Sequence, residues 1–149
     1  MKIFILVNIL IISITIFITY YFHNFFLERN NSPKISFMEF INNGKMPSMK
    51  KLLIGLIFGV SFGFIDNIGL WYGMNNLEKY MPGGILTKSA LGNTYSNFMG
   101  AIIGTCISII AADSINYDGS SEPIWMNSLG IVLGCLLGLF VGRTLSNKK

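Results

Sequence analysis

Four stretches of the chain are nearly unbroken runs of apolar residues. Each is long enough to cross the hydrocarbon core of a bilayer as a helix, which takes roughly 20 residues. The first, Ile3 to Phe22, carries no charge and is built largely of Ile, Phe and Thr. The second runs from Leu52 to about Met74 and is interrupted by Asp66 and Asn67. The third runs from about Ala90 to Ala112 and contains the polar string Gly92-Asn93-Thr94-Tyr95-Ser96-Asn97. The fourth, Trp125 to Gly142, is closed by Arg143. The pattern predicts an all-α membrane protein. The first run lacks a small-residue cleavage site and is long for a signal peptide, so it is expected to be an uncleaved anchor.

The polar gaps differ in character. Residues 23–51 hold a short amphipathic stretch, Ile35 to Ile41, expected to lie on the membrane surface rather than cross it. Residues 75–89 contain the helix breaker Pro82-Gly83-Gly84 and read as a turn. Residues 113–124 carry Asp113, Asp118 and Glu122 and no Lys or Arg, a solvated acidic loop or a mouth that recruits cations. The expected organisation is an anchor over 1–22, a connector over 23–51, a three-helix core over 52–142 and a basic tail over 143–149.

Composition sharpens the class. Of 149 residues, 52% are hydrophobic and 12% charged, with a mean hydropathy of +0.57. A soluble domain carries about 25% charged residues. The imbalance excludes a disordered chain, a basic nucleic-acid-binding domain and an ordinary cytosolic enzyme. The net charge of +4 comes from eleven Lys and Arg that sit in the polar gaps. They divide six against five between the two sides of a four-span topology, so the positive-inside rule leaves orientation nearly tied. The acidic loop favours both termini inside. Cys106 and Cys135 fall within apolar runs and the single histidine, His23, lies at a membrane boundary. No zinc site, disulfide framework or cofactor is expected from such a set.

The glycines are spaced by four. Gly55, Gly59 and Gly63 mark the second run; Gly92, Ser96, Gly100, Gly104, Ser108 and Ala112 the third; Gly130, Gly134, Gly138 and Gly142 the fourth. Residues four apart share a helix face. Each of these helices therefore carries a smooth ridge of the kind that lets backbones approach closely in lipid. The predicted core is a glycine-ridge-packed bundle of the last three helices. Ridge surface left uncovered by three helices would suit a homodimer.

An ionisable residue inside a span is expensive and marks a site for inspection. Asp66 lies about eight residues, or roughly 12 Å, before the end of its run. Ser96 and Asn97 lie at a similar depth if the second and third runs form an antiparallel hairpin. Asp66, Asn67, Asn93, Ser96 and Asn97 would then form an oxygen-rich set of the kind hard cations such as Na⁺ or Ca²⁺ prefer. The same groups could equally act as structural glue between helices. Asp66 has no His, Lys or Cys near it in the pattern, so no nucleophile–base pair and no enzymatic activity is expected.

Three segments carry a resemblance. Phe62-Gly63-Phe64-Ile65-Asp66-Asn67, then Ala90-Leu91-Gly92-Asn93 with Ser96 following, then Leu129 to Phe140 resemble, in order, segments of the transmembrane protein 65 family. The match covers roughly residues 47–142. It implies a three-helix membrane core related to a mitochondrial inner-membrane protein associated with sodium-dependent calcium efflux, as the exchanger or as its regulator. Asp66, Asn67, Asn93 and Ser96 match the family motifs, whereas Asn97 stands where the family has an aspartate. That loss of charge favours a monovalent over a divalent ion. Residues 1–46 lack the Arg- and Ser-rich character of a mitochondrial transit peptide. Thr94 to Phe98 also resembles a fluoride-channel motif, but the Gly/Arg pattern of that family's first helix is missing from Ile3–Phe22. The expected function is cation transport across a lipid bilayer; the alternative is a non-transporting structural or regulatory subunit of a membrane-protein partner. No nucleic-acid partner is expected.

Overall fold

The computed structural model describes residues 2–44, 46–117, 119 and 122–146. These form α1 (Lys2–Arg29), α2 (Phe37–Asn42), α3 (Met49–Leu77), a 3-10 turn (Glu78–Tyr80), α4 (Ile85–Ser114) and α5 (Ile124–Ser146), with no strand among the described residues. Four of the helices are long and apolar enough to cross a membrane: Ile5–Arg29, Met49–Met74, Ile85–Ser114 and Ile124–Leu145. The fold is that of an all-α, multi-pass membrane protein. Lys45, Asp118 and residues 147–149 of the basic tail lie outside the described residues.

Every spanning helix outruns the apolar stretch that announced it. α1 continues past Phe22 to Arg29, because Phe25, Phe26 and Leu27 prolong the apolar run and no Gly or Pro intervenes. α4 begins at Ile85, directly after the Pro82-Gly83-Gly84 breaker, so the predicted turn over 75–89 is much shorter. Hydropathy marks where lipid lies; helices end where the backbone turns. Asn31, Asn43 and Asn116 do this with φ of 55°, 53° and 50°. Asparagine tolerates this left-handed conformation better than most residues, and helix C-termini favour it. Gly83, at φ 91°, turns the chain between α3 and α4. α5 stays helical despite four interior glycines, each costing about 1 kcal/mol in water. In hydrocarbon the backbone has no alternative partner.

The chain divides into two compact units, Met1–Lys45 and Met46–Lys149. In the first, the predicted amphipathic stretch becomes the six-residue α2, started by a capping box in which Ser36 and Glu39 satisfy each other's backbone N–H. Asn24 of α1 holds the returning strand of chain at both ends of one residue. Its amide donates to the Ile35 carbonyl at 3.2 Å and accepts from the Ile35 N–H at 2.9 Å. Phe37 and Phe40 pack their rings on Phe17, Tyr20 and His23, with centroids 5.3–5.6 Å apart.

In the second unit α3 is the central helix, and α4 and α5 both pack on it while hardly touching each other. α4 runs antiparallel to α3, with Gly92 beside Leu70 and Met74, and Gly104 beside Phe62. α5 runs parallel to it, with Asn127 beside Gly55 and Gly142 beside Trp71. The two contacts differ in kind. On the α5 side backbone meets backbone: a Cβ at Gly59 would lie 2.7 Å from Ile131 N and 2.8 Å from Gly130 Cα. On the α4 side, Gly100 and Gly104 rest against Phe62, where a Cβ would lie 3.0 Å from its carbonyl and 3.1 Å from its nitrogen.

The unit is apolar on the outside. Ile54 and Met126 are the large apolar side chains buried among the described residues, while Phe98, Ile110 and Phe140 are 61–68% exposed. Inward positions are taken by Gly and Ser, including Ser96 at 1% exposure. Water would penalise a surface of this extent; lipid is its natural solvent. At the opposite end from the Gly83 turn, the Lys50 ammonium donates to the Ile115 and Asn116 carbonyls at 2.7 and 3.2 Å and so caps the C-terminus of α4.

Candidate functional site

The site is built where α4 leans on the middle of α3. Gly100 admits the approach, since a side chain there would press on the Phe62 carbonyl and lie 3.4 Å from the Asp66 nitrogen. One turn earlier on α4, Ser96 fills the equivalent position and faces α3, where a Cβ on Gly69 would touch its own Cβ at 3.4 Å. Its hydroxyl lies 2.6 Å from Asp66 Oδ1 and 3.1 Å from the Asn93 carbonyl. One proton serves one strong bond, and the shorter distance assigns it to the Asp66 oxygen. Ser96 thus donates to Asp66 across the helix contact.

The remaining lone pairs of Asp66 receive no hydrogen bond from the described residues. The residue is half-buried, not enclosed. It lies about eight residues before the Met74 end of its span, which places the carboxylate roughly 12 Å along the helix from that end, within hydrocarbon depth.

Asn67 goes elsewhere. Its amide Nδ2 donates to the Cys135 carbonyl on α5 at 2.9 Å, and a Cβ on Gly138 would lie 3.2 Å from its own Cβ. Consecutive residues project about 100° apart on a helix. With α4 on one flank of α3 and α5 on another, Asp66 and Asn67 therefore serve different neighbours. The sequence places Asn67 on the Gly55–Gly59–Gly63 ridge correctly, but that ridge meets α5 rather than α4. Asn67 borders a cleft of about 210 Å³ lined also by Leu70, Trp71, Met74 and Leu139. The Trp71 Nε1 proton is buried without a partner among the described residues.

Of the other predicted ligands, Asn93 exposes its side chain, and its backbone carbonyl lies near the Ser96 hydroxyl. Thr94 is exposed and its hydroxyl returns to the Ala90 carbonyl at 2.9 Å. Asn97 is half-buried and makes no side-chain hydrogen bond among the described residues. The geometry therefore joins Asp66 with Ser96, and sets Asn67 apart.

One feature of the site could not be read from spacing: the Cys135 backbone carbonyl that receives Asn67. Nothing in the Cys135 side chain signals it. What could have been noticed is that Gly134 and Gly138 flank that carbonyl and strip its surroundings of bulk. No family model, no curated protein and no solved structure matches this chain.

Proposed function

We propose that the chain is a cation transporter that holds its ion at Asp66, of the sodium-coupled calcium exchange type or a monovalent relative of it, as the resemblance to the transmembrane protein 65 family implies. The observation that carries the reading is the incomplete satisfaction of Asp66. A carboxylate at hydrocarbon depth with one donor, Ser96, needs a counter-charge to stay ionised. A hard cation supplies it through the open lone pairs. Ser96 orients the carboxylate, and Asn97 and Asn93 on the same helix offer neutral oxygens on the approach. With a single acid at the site, a monovalent ion balances the charge better than a divalent one.

Glycine-to-backbone packing of α3 on α5 is the element on which alternating access would turn, since two smooth ridges can slide or rock with little side-chain rearrangement. A homodimer is the proposed assembly. The ridge glycines of α3, α4 and α5 are all buried within one chain, so the partner copy would seat on bulkier ground. The outer face of α4, with Tyr95, Phe98 and Ile102 exposed, provides it.

A second reading draws on the two cross-helix bonds. Ser96 to Asp66 and Asn67 to Cys135 tie α3 to both neighbours, which is what a structural or regulatory subunit needs to fix its helix register. Reconstitution in liposomes separates the two. Sodium-dependent calcium flux, or sodium flux alone, should appear with the wild-type protein and fall at least tenfold in Asp66→Asn. Absence of any cation flux from correctly folded wild type would leave the structural reading.

A further inference from the structure

The charges flanking α1 bound where this helix can sit in a bilayer. No Asp, Glu, Lys or Arg falls between Lys2 and Glu28, so the hydrocarbon core, about 30 Å or 20 residues of helix, lies within that run. The run is longer than the core requires. Pushed as far toward Lys2 as charge allows, the core ends near Phe22; at the other limit it ends near Leu27. Phe17 lies five residues before Phe22 and Tyr20 two. Even the shallow limit therefore puts both inside the core, by roughly 7.5 Å and 3 Å along the helix. A tilted α1 needs more residues to cross, which only moves them deeper.

The segment after α1 returns to this level. Beyond the Asn31 turn, the Ile35 carbonyl accepts from the Tyr20 hydroxyl at 3.1 Å as well as from Asn24. Phe37 stacks on Phe17 at 5.3 Å and meets Tyr20 at 5.5 Å. Phe40, one turn later, meets Tyr20 and His23 at 5.6 Å. Three residues along α2 thus match three residues along α1. α2 stands beside α1 and climbs back toward the Arg29 end, rather than lying across it. The descending stretch has no helix to satisfy its backbone, and side chains do so instead. Asn24 takes both groups of Ile35, and Glu39 Oε2 accepts the Ser36 N–H at 2.8 Å. In water such closure is unnecessary; hydrocarbon demands it.

We infer that residues 32–42 form a re-entrant hairpin, extended on the way in and helical on the way out, whose tip at Ser36 and Phe37 enters the acyl layer of one leaflet. Glu39 and the N–H groups of Phe37 and Met38, which have no partner among the described residues, set the opposite limit. Neither a carboxylate nor unpaired donors are tolerated far into hydrocarbon. The tip therefore belongs at the shallow end, about 3–8 Å below the hydrocarbon boundary. Lys34 and Glu28, paired at 3.0 Å and exposed, stay at headgroup level. Met38, 64% exposed in the first turn of α2, is the side chain handed to the lipid. The hairpin also sets the depth of α1, which its long apolar run alone leaves free by five residues, or roughly 7.5 Å.

Spin labels on the full-length chain in phosphatidylcholine vesicles test this, in a Cys106→Ala, Cys135→Ala background with monodisperse elution as the criterion of folding. Ile12→Cys in mid-span and Asn30→Cys beside the charged end of α1, both exposed, give the lipid and headgroup references. A label at Met38→Cys should meet molecular oxygen as readily as one at Ile12. A water-soluble nickel chelate should reach it at least fivefold less than at Asn30. A label at Asn42→Cys, four residues on, should lie about 6 Å nearer the headgroups. Met38→Trp in a Trp71→Phe, Trp125→Phe chain reads the depth independently, and brominated acyl chains should quench it by at least half. Nickel access at Met38 equal to that at Asn30, no quenching by bromine, or equal depth at Met38 and Asn42 overturns the proposal. Protection of Met38 from both oxygen and nickel would place protein there instead of lipid, and overturns it too.

Discussion

The α3–α5 contact permits a quantitative prediction from one substitution and its control. At Gly59 a Cβ would lie 2.7 Å from Ile131 N and 2.8 Å from Gly130 Cα. Both atoms are backbone, so neither can rotate away, and the helices must separate by most of an ångström. Overpacking in a close-packed contact costs typically 1–3 kcal/mol, and rigid neighbours place Gly59→Ala at the upper end. Against this stands at most the gain of about 1 kcal/mol that alanine has over a helical glycine in water, and less in a bilayer, where the backbone stays helical either way. The net loss is about 2–3 kcal/mol, or roughly 30- to 160-fold in the folding equilibrium. Gly73 lies on the same helix, and a Cβ there would meet nothing within 4 Å. Gly73→Ala should therefore be neutral or stabilising by a few tenths of a kcal/mol to about 1 kcal/mol. Reversible unfolding in mixed micelles, followed by tryptophan fluorescence, compares the two directly. If Gly59→Ala proved as stable as Gly73→Ala, the tight backbone contact between α3 and α5 would be refuted.

Three further outcomes are expected. Ser96→Ala removes the donor to Asp66 and should weaken the α3–α4 association by about 0.6 kcal/mol, the average for interhelical hydrogen bonds in a membrane protein, and by at most about 1.7 kcal/mol; an unchanged unfolding midpoint would contradict the 2.6 Å bond. Lys50→Met uncaps α4 and should accelerate amide exchange at Ile115 to Tyr117, while exchange near Ser96 stays unaltered. Uniform acceleration along α4, or none, would count against that cap. Asn24→Leu removes both bonds to Ile35 and should make the 30–44 segment cleavable by protease at least tenfold faster; wild-type resistance in the variant would show that the ring contacts of Phe37 and Phe40 suffice.

The sequence and the structure agree where lipid solvation decides, and part where a neighbour decides. Four apolar runs gave four spanning helices because length and hydropathy are properties of each segment alone. Asp66 and Ser96 meet because equal depth on an antiparallel hairpin fixes their level, and both follow from counting residues at 1.5 Å each. The spacing groups Asn67 with them because a central helix with two partners looks, in sequence, like a helix with one. Only three-dimensional packing shows that the Gly55–Gly63 ridge belongs to α5. The helix ends are not legible for a different reason: Asn31, Asn43 and Asn116 turn the chain at helix ends through a positive φ, and hydropathy has no view of φ.

Cation flux into liposomes containing matched amounts of folded protein decides whether the carboxylate of Asp66 carries the ion while Asn67 only holds α5. Wild type should show saturable flux. Asp66→Asn should lose at least nine-tenths of it, and Asn67→Ala should retain at least half, since its amide is bonded to the Cys135 carbonyl rather than turned to the site. Equal loss in both variants would restore Asn67 to the ion site, and undiminished flux in Asp66→Asn would show that the Asp66 carboxylate does not carry the ion.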